Sequence, residues 1–362
     1  MFDYVGFLVS WLTLFAIYGI LAMCLNMEVG NTGMANFGLV AFVGIGGFVT
    51  GYTAITVFLR YFGYDFSIYS LDAIITLGKV SKENPALSLG VFALCLVLSF
   101  IMAGFAGYLI SYPTLRVGPS FLGITILSFG EMLRVFMKHF EPTGATYGLL
   151  GIPGPFTWVA DPKQKSIMFL GLTLAILVLV YVYFNRITNS PFGRLLRSIR
   201  EDEVASLCIG KPVPQIKAKL LFVASGISGI AGSLLVFYYG SVSPDLFVTA
   251  VTFEIWSMVI LGGRGNNLGA LLGAGVLTLF GRATSLFNFM FPDFVIDPNY
   301  LRWMLLGLTI VIILLFKPEG LLSEKSVKTD SWDVYGGYPK SGTSKLISHI
   351  KEGLSRLLKR GN

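Results

Sequence analysis

The 362-residue chain is 54% hydrophobic and only 13% charged, where a soluble domain carries roughly 25% charged residues; its mean hydropathy is +0.73. The apolar residues come in runs of about 20, long enough to cross a bilayer as helices, while the ~10-residue alternating segments of a membrane barrel are absent. A net charge of +7 concentrated in a central loop and a C-terminal tail is the pattern of cytoplasmic loops, not of nucleic-acid binding. The composition predicts an all-α polytopic transmembrane bundle with about 8–10 membrane segments.

Residues 1–27 lack a basic leader and a clear cleavage site and read as a retained first span. That span ends at Glu28, and the chain breaks at Gly30-Asn31-Thr32-Gly33. The following apolar run, 34–59, carries Gly38, Gly44, Gly46, Gly47 and Gly51. It reads either as a broken or re-entrant helix lining a cavity or as a close-packing helix. Residues 60–86 form a polar connection, 87–110 a third span, and 112–119 a short turn. The fourth span, 120–138, places Glu131 and Arg134 on one helical face. A Gly/Pro-rich loop (139–165) leads to the fifth span, 166–184.

Between two apolar runs lies a basic island, NSPFGRLLRSIREDEVASLCIGKPVPQ (189–215). Ser190 is placed to N-cap a helix with Pro191 at its first position. Phe192, Leu195, Leu196 and Ile199 recur at helical spacing on one face, with Arg194 and Arg197 off it. A second short helix is expected from its N-cap Asp202 to Ile209, with Gly210 as C′ residue and Pro212 barring continuation. The sixth span (218–239) repeats Ser225, Gly229 and Ser233 every four residues, a small-residue packing stripe. A short seventh span (248–261) holds Glu254. The turn Gly262–Asn267 echoes the break after Glu28, an internal similarity consistent with duplication. An eighth span (268–288) and a ninth (300–316) follow. The basic loop and basic tail must share a side, which puts the N-terminus on the other side if 34–59 crosses once and on the same side if it is re-entrant.

Nothing in the chain points to catalysis. Cys24, Cys95 and Cys208 have neither disulfide nor metal spacing, and no phosphate-binding loop, nucleophile elbow or zinc-protease motif appears. Ionisable groups inside spans are few, so Glu28, Glu131, Arg134 and Glu254, with Asn31 in the break, are the candidate substrate path. Glu131 and Arg134 can equally serve only to neutralise one another.

Four blocks carry a family resemblance: 25–48 (LNMEVGNTGMANFGLVAFVGIGGF); 115–134 with TGATYGLLGIPG (143–154); 189–234; and SPDLF (243–247), VILGGRGNNLGALLGA (259–274) and LLFKPEGLL (314–322). Together they resemble the permease subunits of branched-chain amino acid ABC importers, of the LivM-like type. The resemblance implies a plasma-membrane permease moving leucine, isoleucine or valine. Its implied partners are a second, LivH-like permease subunit, two cytoplasmic ATPase subunits that bind the ATP, and an extracytoplasmic solute-binding protein; the chain itself needs no cofactor. It also implies that 189–215 is the ATPase-coupling loop, loosely similar to the importers' EAA loop through Glu203, Ala205 and Gly210, with the glycine one position late. Residues 1–322 are then the membrane domain; by composition 323–344 is a flexible linker, and by apolar periodicity 345–362 is a basic amphipathic helix that lies on membrane lipid, the alternatives being a disordered tail or one that binds an ATPase subunit. The alternatives are a same-fold importer for urea, short amides or other amino acids, and a stand-alone secondary transporter or channel.

Overall fold

The computed structural model describes residues 3–63, 71–117, 119–290, 304, 307–308, 310–313, 315–317 and 319–324. Part of the ninth span, the linker from 325 onward and the amphipathic tail lie outside the described residues. Among those described, five helices are long and apolar enough to cross a membrane: α1 (Tyr4–Leu25, extended by one wide turn to Gly30), α2 (Leu39–Tyr61), α4 (Pro85–Val117), α6 (Pro162–Asn189) and α9 (Val213–Tyr239). They are joined by α3 (Leu71–Glu83), α5 (Pro119–His139), the short loop helices α7 (Pro191–Glu201) and α8 (Glu203–Cys208), the half-length α10 (Thr249–Gly262), and α11 (Asn267–Met290). The only regular extended pairing described is Leu149–Leu150 antiparallel to Ser241–Val242. The chain is a multi-pass α-helical membrane protein.

The core forms around α9, which packs against α2 and α4. Lipid tails are as apolar as leucine, so no hydrophobic force pulls spans together and close van der Waals contact must do so. The stripe of small residues supplies it. A Cβ on Gly46 would overlap the Gly229 backbone, one on Gly232 the Val43 carbonyl, and one on Gly229 the Ser99 carbonyl. Hydroxyls then tie the three helices together: Thr50 donates to Ser233 Oγ at 2.7 Å, and Ser99 donates to the Gly46 carbonyl at 3.0 Å. The Gly-rich run of α2 is thus a packing surface along α9, while its true interruption lies earlier, at 31–38.

Two loops expected from sequence are helical. Residues 71–83 form α3, which packs on α2 and α4. The turn expected at 112–119 is instead the end of α4, which runs through Pro113 to Val117. Pro113 removes the backbone donor that would reach the Leu109 carbonyl, and hydroxyls add bonds to the carbonyls on either side of that gap: Ser111 donates to Tyr108 O at 2.6 Å and Thr114 to Ile110 O at 2.8 Å.

The helix directions answer the orientation question. Asp3 pairs with Lys163 at 3.7 Å at the start of α6, whereas the end of α1 meets Arg200 beyond the end of α6. The two helices are therefore parallel, and the N-terminus lies at the end of the bundle opposite the basic loop. From Gly38 beside Ile126, through Gly46 beside Gly229, to Gly51 beside Val242, α2 climbs away from the basic end. The segment after the break crosses once.

Replacing Gly46 with valine should separate α2 from α9, lower stability by about 3 kcal/mol or more and depress both membrane yield and the melting temperature in detergent. Gly171→Val, on a face of α6 with nothing within 4 Å, should leave both unchanged.

Candidate functional site

Three features of the sequence meet at the basic end: the break after α1, the turn before α11, and the central loop. At the break the last turn of α1 widens over Asn26–Gly30, the chain runs irregularly to Gly38, and α2 begins at Leu39. Backbone groups freed inside a membrane protein need partners, and the fold provides them. Asn26 Oδ1 accepts from the Gly265 N–H at 2.8 Å, and Asn26 Nδ2 donates to Asn267 Oδ1 at 3.0 Å. Asn267 donates onward to Thr188 Oγ1 at 3.3 Å, at the end of α6. On the far side of the break, Trp256 Nε1 donates to the Asn36 carbonyl at 2.8 Å and the Val40 N–H to Thr252 Oγ1 at 3.2 Å. The two Gly/Asn-rich turns that look alike in sequence thus pack on one another, with no room for a Cβ on Gly30 against Gly265.

Glu28 and Asn31 are wholly buried inside this junction. Glu28 Oε2 accepts from Asn36 Nδ2 at 2.9 Å, while its Oε1 has no hydrogen-bond partner. Asn31 Nδ2 reaches the Asn26 carbonyl at 3.4 Å, and its Oδ1 is likewise unsatisfied. Glu254, on α10, is also buried.

The loop helices are capped as their sequence demands. Ser190 Oγ accepts from the Gly193 N–H at 3.3 Å, and Asp202 Oδ1 accepts from the Ala205 N–H at 2.9 Å. Gly210 follows at φ 78°, a left-handed conformation that only glycine adopts freely. Glu203 pairs at 2.6 Å with Lys217, a lysine only 4% exposed, which fixes α8 to the start of α9.

The burial of the loop differs from what periodicity suggests. Leu196 and Ile199 are buried in the chain's own core and Leu195 packs against it; only Phe192, at 37% exposure, reaches the surface. That apolar face holds the loop onto the bundle. The apolar groups that do face outward are on α8 and its end: Val204 and Ile209, each 68% exposed, and Leu207. Their sequence signal was Val204 and Leu207 in a six-residue helix whose buried member is Ser206, with Ile209 capping its end.

The arginines also divide. Arg194 is exposed. Arg197 donates through Nη2 to the Thr188 carbonyl at 3.1 Å, and Arg200 donates through Nη1 to the carbonyl of Gly30 in the break. Both face Glu324, with Arg200 Nη1 at 2.9 Å from Oε2 and Arg197 Nε at 3.4 Å from Oε1. Glu324 arrives at the end of a segment that docks on the turn after α10, where the Leu321 and Leu322 N–H groups each donate at 2.9 Å to the Leu261 and Gly262 carbonyls. The first two residues of the expected linker, Ser323 and Glu324, are therefore anchored: Asn266 Nδ2 also holds the Ser323 carbonyl at 3.1 Å.

A second polar cluster lies on the flank of the bundle, about 18 Å along α5 from its start by helical rise. Arg134 binds Glu131 at 2.8 Å and lies 3.6 Å from Asp245; Lys138 binds Asp245 at 2.7 Å; Thr249 donates to Glu131. The expected Glu131–Arg134 pair exists, but within a four-charge group: Lys138 joins it from the same helix, Asp245 from the short helical turn Pro244–Phe247, and the Thr249 hydroxyl from the start of α10. These side chains are only partly covered, and Asp245 retains 58% of its exposure. Phe253, one turn after Thr249 on α10, is a large apolar residue exposed on the same side, whereas the exposed Met132 and Phe136 lie on the other side of α5. No group of three or more metal-ligating side chains occurs among the described residues.

Comparison with known proteins agrees with this architecture. The chain is 29% identical over 334 residues to a probable branched-chain amino acid transport permease protein LivM of Methanocaldococcus jannaschii, covering 90% of this chain and 95% of that one. It is 28% identical to the high-affinity branched-chain amino acid transport system permease protein LivM of Escherichia coli, over 86% of this chain and 68% of the relative. The corresponding BraD protein of Pseudomonas aeruginosa is 24% identical over 91% of this chain and 98% of its own length. No solved structure matches the chain significantly. The family model described as branched-chain amino acid transport system, permease component, matches residues 7–314, and with a helical bundle, a docked basic loop and no catalytic constellation behind it, the chain belongs to that family of transport permeases.

Proposed function

We propose that this chain is a substrate-translocating subunit of an ABC importer for branched-chain amino acids in the plasma membrane of a prokaryote. It works with a second, LivH-like permease, two cytoplasmic ATPase subunits and an extracytoplasmic solute-binding protein. The observation that carries this reading is the link from loop to break. One arginine, Arg200, binds both the carbonyl of Gly30 and the carboxylate of Glu324, so a push on the loop is delivered to the interruption between α1 and α2. In this reading α8 presents Val204, Leu207 and Ile209 to the ATPase, flanked by Phe192 and Arg194. Leu195, Leu196 and Ile199 transmit the movement inward as core residues, and Arg197 keeps α7 in register.

The flank cluster supports a place for the substrate. Charged groups half exposed at mid-depth cannot face hydrocarbon cheaply, so this face meets a partner subunit across a polar path. An amino acid is a zwitterion, and Glu131, Arg134, Lys138 and Asp245 offer both signs while Phe253 offers apolar surface for an aliphatic side chain. Glu28, Asn31 and Glu254 join that path only when the break opens. Uptake of labelled leucine, isoleucine and valine by the reconstituted complex, against urea, acetamide and ribose, tests the substrate; uptake of the amide and not the amino acids overturns it.

Two further outcomes are expected. Val204→Asp with Ile209→Asp should abolish substrate-stimulated ATP hydrolysis while leaving the permease in the membrane at normal yield; unchanged stimulation would remove α8 as the docking surface. In a Cys208→Ser background, Asp245→Cys should react with charged thiol reagents in the assembled complex, and leucine delivered by the binding protein should slow the reaction. A cysteine that stays unreactive throughout the ATP cycle would take the flank cluster off the substrate path.

A further inference from the structure

At the end of the bundle opposite the basic loop, a cavity of about 690 Å³ opens between the starts of α1 and α6 and the end of α9. This is within the size range of small-molecule sites. Its walls are apolar, with Phe156, Phe169 and Phe237 among them, and it contains the amino groups of Lys163 and Lys165. Lys163 has Asp3 beside it. The Lys165 side chain is partly buried, and its ammonium group has no hydrogen-bond or ion-pair partner among the described residues. Lys82 is close enough to repel it. An ammonium group held partly out of water, beside further cations, is a site lacking its anion.

We propose that this cavity binds a phospholipid, its phosphate against Lys165 and the upper part of its chains along the aromatic wall. The surroundings of the mouth favour lipid over a soluble anion. Val5 and Ile167 line the cavity and are 55% and 48% exposed, and α6 continues from there with Met168, Val178 and Leu179 exposed on its surface. The opening therefore faces the bilayer at the ends of the spans, the depth of the headgroups. None of Glu131, Arg134, Lys138 or Asp245 lines it, so it is separate from the substrate face. A free phosphate or an amino-acid carboxylate matches the charge but leaves most of the apolar wall uncovered; a phospholipid matches both. The charged residues lining the cavity are Lys163, Lys165 and Asp3, and Asp3 is already paired with Lys163, so the lysine left over is matched by one anionic headgroup such as phosphatidylglycerol.

Native mass spectrometry of the purified, delipidated complex titrated with dioleoyl phosphatidylglycerol tests this. Wild-type complex should retain lipid, Lys165→Ala should weaken retention about tenfold, as expected for loss of one charge-assisted contact, Lys165→Arg should restore it, and Lys211→Ala at the opposite end should change nothing. A photoactivatable phosphatidylglycerol on the wild-type complex gives a reading independent of any variant, with crosslinks expected in peptides spanning 152–169. Equal retention by wild type and Lys165→Ala, absence of those crosslinks, or displacement of the lipid by millimolar phosphate or leucine would overturn the proposal.

Discussion

Everything at the basic end depends on the need to satisfy a backbone that leaves the helical path inside a membrane protein. Between Asn26 and Leu39 the chain abandons regular hydrogen bonding, and the bilayer offers no water to compensate. The solution is mutual. Asn26 reaches Gly265 and Asn267, Trp256 reaches Asn36, and Arg200 reaches Gly30. Because those partners lie on α7, α10 and the start of α11, the break cannot change shape without moving them.

In the proposed reading, that dependence is how a movement of the loop would reach the spans. The loop is no flexible tether. Its apolar face, Leu196 and Ile199, is sealed into the core, its caps are complete, and the Glu203–Lys217 pair fixes its second helix to α9. A pair closed by a nearly buried lysine is costly to break on one side only. Force applied at Val204 or Ile209 therefore meets a rigid body whose compliant neighbour is the irregular stretch 31–38. The tight α2–α4–α9 packing supplies a fixed frame against which that stretch works.

Much of this was legible in the residues. Span positions followed from apolar runs, the loop caps from Ser190, Asp202 and Gly210, and the α9 stripe from Ser225, Gly229 and Ser233. What failed to show in one dimension was direction. Periodicity found the apolar face of α7 but could not tell whether it turned toward the bundle or away, since a core face and a docking face have the same spacing. Pro113 marked a turn that neighbouring hydroxyls made unnecessary. The Glu131–Arg134 pair was visible as i and i+3, with Lys138 a further turn on the same face, but Asp245 joined them only through tertiary proximity. Nothing local to Glu324 marked it as the partner of Arg197 and Arg200.

That last contact has a consequence for how the protein is made. Arg197 and Arg200 are synthesised long before Glu324, and chains acquire structure from their N-terminal side as they emerge. Until the segment carrying Leu321, Leu322 and Glu324 arrives and docks on the turn after α10, two partly buried guanidinium groups lack the carboxylate between them. The loop is thus completed by one of the last parts of the membrane domain to be translated. A nascent chain with all its earlier spans inserted would still hold an unfinished loop surface, which ties completion of the loop to translation of the segment that ends at Glu324.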